Sequence, residues 1–162
     1  MHTKNKGLVL TPKDLWSTGY LFKTHGRSDS DYTTNSDDHK SISGGGVFVN
    51  GMPICFRSVT QKFVTLSVTE AEIAAGVMVA QDMLYVYCLL ESLELKVELP
   101  IVLKMDNSGA VDIANSWSMG GRMHHVDVHN YFLRGLKDQG QLVIKYIAGE
   151  KNDADIFTKN LT

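Results

Sequence analysis

From Ser67 to about Leu93 the chain carries a helical stretch that is apolar on nearly every side, with Ala71, Ile73, Ala74, Val77, Met78, Met83, Leu84, Leu89 and Leu90 leaving almost no polar face. Such a helix has no side to give to water, so it belongs at the centre of the fold. It opens with Ser67-Val68-Thr69-Glu70, a capping box in which Ser67 accepts from first-turn amides and Glu70 reaches back. That task for Glu70 leaves Glu72 as a carboxylate in an expensive position, because acids on apolar helices are seldom buried without a partner. Gly76, one turn beyond Glu72 on the same face, costs the helix about 1 kcal/mol relative to Ala and points to a backbone passing close by.

Around this helix the hydrophobic period alternates between strand and helix. A first strand starts near Tyr20 and ends between Gly26 and Tyr32, with Asp29 and Asp31 on the same side of its pleat. Thr33 to Lys40 is a polar loop, and Gly44–Val49 and Pro53–Arg57 flank Asn50-Gly51, a strong hairpin signal. After the long helix come a strand from Pro100 to Asp106, a helix from Asn107 to Asn115, and a helix from about Val126 to Lys137 stopped by Gly140. A strand from Leu142 to Ile147 and a closing helix from about Asn152 follow. The expected class is α/β, a mixed five-stranded sheet flanked by helices.

With 162 residues, 43% of them apolar, the chain has material for one domain with a real core. No signal-peptide pattern or run of about 18 apolar residues is read, and Cys55 and Cys88 are the only cysteines. A reduced, soluble, intracellular domain is expected, with Cys88 an inert buried thiol. Two cysteines cannot build a structural zinc site. The balance of 16 basic against 18 acidic residues, net −2, predicts weak unaided affinity for nucleic acid.

Four acidic residues stand in four differently built segments, in the order Asp29, Glu72, Asp106, Asp155. Gathered in a fold they would repel one another, so a divalent cation between them is the natural partner. Singly, each aspartate has a plainer role: Asp106 as the cap of the next helix, Asp155 as a first-turn acid, Asp29 as a strand-end charge. The pleat does not choose between Asp29 and Asp31. Asp37, Asp38, Asp112 and Asp127 read as surface charges, caps or partners of the ligands.

Ser28-Asp29-Ser30-Asp31, Ser41-Ile42-Ser43-Gly44, Ser67 to Glu72, Met105-Asp106-Asn107-Ser108, His125-Val126-Asp127 and Ala154 to Lys159 resemble, in order and spacing, the ribonuclease H domain of copia-type LTR retrotransposon polyproteins. The resemblance runs from about Gly26 to Leu161 and implies a ribonuclease H-like fold over residues 21–162, with residues 1–20 as the tether from the reverse transcriptase. It selects Asp29 over Asp31, and Glu72 over Glu70 in agreement with the cap. It also implies a cytoplasmic setting in the virus-like particle of the element.

The activity implied is hydrolysis of the RNA strand of an RNA/DNA hybrid with two Mg²⁺ ions, replaceable by Mn²⁺, held by Asp29, Glu72, Asp106 and Asp155. Products would carry 5′-phosphate and 3′-hydroxyl ends. Asn107 and Ser108 would read 2′-hydroxyls across the minor groove, while Arg122 and His125, with His124 and His129, would face the DNA strand. The loop Ala148 to Asn152 lacks the histidine many ribonucleases H carry there, and Glu150 or Lys151 would stand in for it. Tyr32 replaces the usual Trp, and Ser43-Gly44-Gly45-Gly46 replaces a Ser-Gly-Tyr run, a change expected to loosen that edge of the sheet. Integrases place their Glu last, and proofreading exonucleases put Asp and Glu one residue apart on the first strand; neither pattern fits. The reading from a different class is a binding or scaffolding module that kept the fold without the activity, which the intact quartet disfavours.

Overall fold

The computed structural model describes residues 21–32, 39–116 and 124–158, with the backbone alone for 124–127. Strands β1 (Thr24–Asp31), β2 (Ile42–Val49) and β3 (Met52–Thr60) form an antiparallel meander, followed by α1 (Val68–Ser92), β4 (Ile101–Met105), α2 (Ser108–Asn115), α3 (His124–Asp138) and β5 (Leu142–Tyr146). Two 3₁₀ turns, Gly149–Lys151 and Asp153–Phe157, close the described chain where a longer helix is expected. The sheet order is β3-β2-β1-β4-β5, with β4 and β5 parallel to β1. The mixed five-stranded sheet is therefore the one expected. The β2–β3 turn is also as written: Asn50 and Gly51 both take positive φ, 49° and 74°, as a two-residue hairpin requires.

Helix α1 is long and apolar enough to cross a membrane by length and composition. Here its stretch from Glu70 to Val86 is the spine of the core, where Ile73, Val79 and Met83 pack with Val47, Ile101, Leu103, Met105 and Leu133. Each such side chain contributes about 1.5–3 kcal/mol on burial. Beyond Val86 the helix outruns its cover, leaving Leu89 and Leu93 exposed. Cys88 lies in that overhang and is exposed, which corrects the buried thiol expected from its apolar neighbours.

The glycine run of β2 does not loosen an edge, because β2 is an interior strand. A β-carbon on Gly45 would sit 2.3 Å from Val79 Cγ2 and 2.5 Å from the Arg27 carbonyl oxygen, so its absence lets α1 seat on the sheet. Gly76 likewise makes room, but for the Met105 side chain, whose Cε would lie 3.1 Å from an added β-carbon, rather than for a passing backbone.

Candidate metal centre

Sheet register brings two of the four carboxylates together. Ser28 is level with Met105 in the parallel β1–β4 pair, so the next residues, Asp29 still within β1 and Asp106 just past β4, stand side by side. Asp106 does not cap α2; Asn107 does, its Oδ1 accepting from the Ala110 amide at 2.9 Å. Glu72 arrives from the start of α1. Ser67 caps that helix as expected, accepting from the Glu70 amide at 3.1 Å, while Glu70 reaches one residue further back than the box predicts, to the Leu66 amide at 2.7 Å.

One carboxylate oxygen from each of Asp29, Glu72 and Asp106 lies within 4.8 Å of the others. Asp29 and Glu72 are buried, at 6% and 3% exposure, and Asp106 is half-buried. Asp155 stands outside this trio but lines the same open cleft of about 570 Å³, together with Ser30, Asp31, Val68, Asn107 and Glu150. Burial first, then the charges of Asp106 and Asp29, push the Glu72 carboxyl up to about 8, against opposition from the Ser30 hydroxyl and amide. Glu72 Oε2 is buried without a hydrogen-bond partner. An orphaned carboxyl oxygen among other carboxylates suits a hard divalent cation, which takes oxygen ligands and offsets that desolvation.

Among the expected substrate contacts, Asn107 lines the cleft while Ser108 is exposed and not part of its lining. Arg122 lies outside the described residues, as do the side chains of His124 and His125, Asp37, Asp38 and Asp127. His129 packs against Phe63, ring centres 5.5 Å apart, and burial holds its imidazole below its ordinary value against the pull of Glu70. It faces a separate apolar hollow with Val64 and Leu66, not the cleft. Of the two stand-ins for the absent histidine, Glu150 reaches the cleft and Lys151 does not.

Sequence reasoning missed the residues that brace the cluster. Asn152, buried, donates to the Ser28 carbonyl at 2.9 Å and accepts from the Ala154 amide at 3.3 Å, docking the Asp155 turn on β1. Arg27 bonds the Lys151 carbonyl at 2.7 Å and pairs with Asp153 at 2.6 Å. The Ser30 hydroxyl and amide hold Glu72 Oε1, and the Thr158 hydroxyl donates to Asp29 Oδ2. The one signal for Asn152 was its place as an Asx residue opening a helix.

The sheet, its three helices and the carboxylates at the strand ends define a ribonuclease H fold. The structure of LC11-RNase H1, isolated from compost, superposes with a TM-score of 0.64 at 17% identity, over 83% of this chain and 91% of that one. The foamy viral protease-reverse transcriptase solved in complex with an RNA/DNA hybrid matches with a TM-score of 0.58 at 12% identity, over 95% of this chain and 22% of that one. No family model matches the sequence. The retrovirus-related Pol polyprotein from transposon RE1 of Arabidopsis thaliana is 29% identical over 160 residues, 99% of this chain. That from transposon TNT 1-94 of Nicotiana tabacum is 31% identical over 134 residues, 83% of this chain. The chain spans 10% of the length of each. It is thus a ribonuclease H-fold relative of the Pol polyproteins of copia-type transposons.

Proposed function

We propose that the chain hydrolyses the RNA strand of RNA/DNA hybrids as the ribonuclease H unit of a retrotransposon polyprotein. The carrying observation is the trio Asp29, Glu72 and Asp106, the first two buried, with its orphaned Glu72 oxygen, beside Asp155 in one open cleft. Divalent ions, Mg²⁺ by the resemblance, would be held by these four residues and would supply an activated water and charge neutralisation at the phosphate and the leaving 3′ oxygen. Asp29 and Glu72, fixed in the core, would set where the scissile phosphate rests. Asn107 would meet the substrate at the cleft wall, and Glu150, which lines the same cleft, would take part in proton transfer or product release. Residues 21–162 form the catalytic unit in this reading, and residues 1–20 its tether. With a net charge of −2, the unit would depend on the reverse transcriptase of the same polyprotein for grip on the hybrid, inside cytoplasmic virus-like particles.

A labelled RNA/DNA hybrid incubated with Mg²⁺, Mn²⁺ or chelator tests the proposal. Cleavage of the RNA strand that needs metal, leaves 5′-phosphate ends and drops at least a thousandfold in Asp106→Asn is expected. A folded protein joined to its reverse transcriptase that stays inactive with both metals would overturn the proposal and favour a scaffolding role.

A further inference from the structure

We propose that Ser30 and Thr158 are positioning residues, each fixing one oxygen of a cluster carboxylate so that the cation site is formed before any cation arrives. The inference rests on reading the cluster as a divalent-ion site.

Three carboxylates within 4.8 Å of one another repel, and unrestrained side chains would swing apart. Two of them are restrained from different elements. On β1, the Ser30 amide and hydroxyl both donate to Glu72 Oε1, at 3.1 and 3.0 Å. Turning the carboxylate would break both bonds at once. The consequence is an unequal pair of oxygens: Oε1 is doubly bonded, and Oε2 is buried without a partner. After the second 3₁₀ turn, Thr158, itself buried, gives its hydroxyl to Asp29 Oδ2, with the Asp155 carbonyl oxygen 3.2 Å from the same Oγ1. One hydroxyl therefore ties the β1 carboxylate to the turn that carries Asp155.

The space for Thr158 is itself built. Gly44 stands opposite Asp29 in the β1–β2 register, and a β-carbon there would lie 2.6 Å from the Thr158 methyl and 2.9 Å from Phe157 Cβ. Gly44→Ala should thus lift Thr158 off Asp29 without altering either partner. Such hydroxyl bonds to ligand carboxylates orient the ligands of metal sites generally, and their loss weakens metal affinity about 10–100-fold.

Mn²⁺ titration calorimetry on the whole chain tests this, with folding checked by circular dichroism and hybrid cleavage followed alongside. Ser30→Ala and Thr158→Val should each weaken Mn²⁺ binding about tenfold, and Gly44→Ala should match Thr158→Val. Thr158→Ser, which keeps the hydroxyl, should restore affinity to within about threefold of the parent. Cleavage should lose kcat with KM for the hybrid unchanged. A merely structural role would lower Tm and leave the Mn²⁺ affinity of the folded protein as it was. Parental affinity in folded Ser30→Ala and Thr158→Val overturns the proposal; should Thr158→Val not fold, Ser30→Ala decides. Retained Mn²⁺ binding in Asp29→Asn and Glu72→Gln would instead overturn the cation-site reading itself.

Discussion

Protonation of Glu72 should make cation binding steeply dependent on pH. Its carboxyl, lifted from 4.5 to about 8 by burial and by Asp106 and Asp29, holds a proton throughout the neutral range when no cation is present. A divalent ion must displace that proton, so apparent affinity scales with the deprotonated fraction. That fraction is about 1% at pH 6 and about 10% at pH 7, making binding roughly a hundredfold and tenfold weaker than its plateau above pH 8. Calorimetry in two buffers of different ionisation enthalpy measures both the affinity and the released proton. Close to one proton should be released per binding event at pH 6.5, falling towards zero above pH 9. Affinity constant from pH 6 to 8, in a protein that binds Mn²⁺, would refute the reasoning. The same displacement acts on stability with a fixed sign. The native state holds the proton more tightly than the unfolded chain, so the contribution is full below pH 4.5 and is lost as pH rises through about 8. Considered alone, it amounts to on the order of 4–5 kcal/mol, and saturating Mn²⁺ should offset the loss.

Two further perturbations test the frame. Gly45→Ala forces a β-carbon against Val79 and the Arg27 carbonyl, and since a backbone oxygen cannot step aside, we expect about 3 kcal/mol of destabilisation and a Tm lowered by roughly 10 °C, read by thermal denaturation. Asn152→Ala leaves the Ser28 carbonyl and the Ala154 amide without their buried partner, and should cost about 2 kcal/mol in chemical denaturation.

The α1 cap was legible because its rule is local: Ser67 and Glu70 act within one turn. The same locality misled slightly, since Glu70 reaches Leu66 rather than Ser67. Asp29 and Asp31 were inseparable on the pleat because alternation reports a face and not a height along the strand. Height is set by pairing with β4, a contact over 70 residues away in sequence that puts Asp29, not Asp31, beside Asp106. The glycine run looked like a weak edge for a related reason: strand order decides whether a missing side chain is a gap or a seat, and strand order is non-local. Apolar neighbours of Cys88 suggested burial, but the helix outruns the sheet there. Ser30 and Thr158 stood inside the matching motifs without a role of their own, because small hydroxyls are common and only the fold shows which ones meet a carboxylate.

The carboxylates and the frame answer one another. At an effective dielectric near 20, each ionised pair at 4.8 Å costs roughly 3–4 kcal/mol, a strain the fold must carry whenever no cation is bound. The proton on Glu72 relieves part of it, which is why the strain appears as a raised carboxyl rather than as separated side chains. Packing two turns along α1 also opposes separation: Val79 closes on Gly26 and Gly45 and seats the helix that carries Glu72 against the strand that carries Asp29. Through that coupling Gly45→Ala should weaken the Mn²⁺ binding of the folded variant, although Gly45 does not line the cleft. Parental affinity in the folded variant would show that the hydroxyl bonds, and not the helix seat, set the ligand positions.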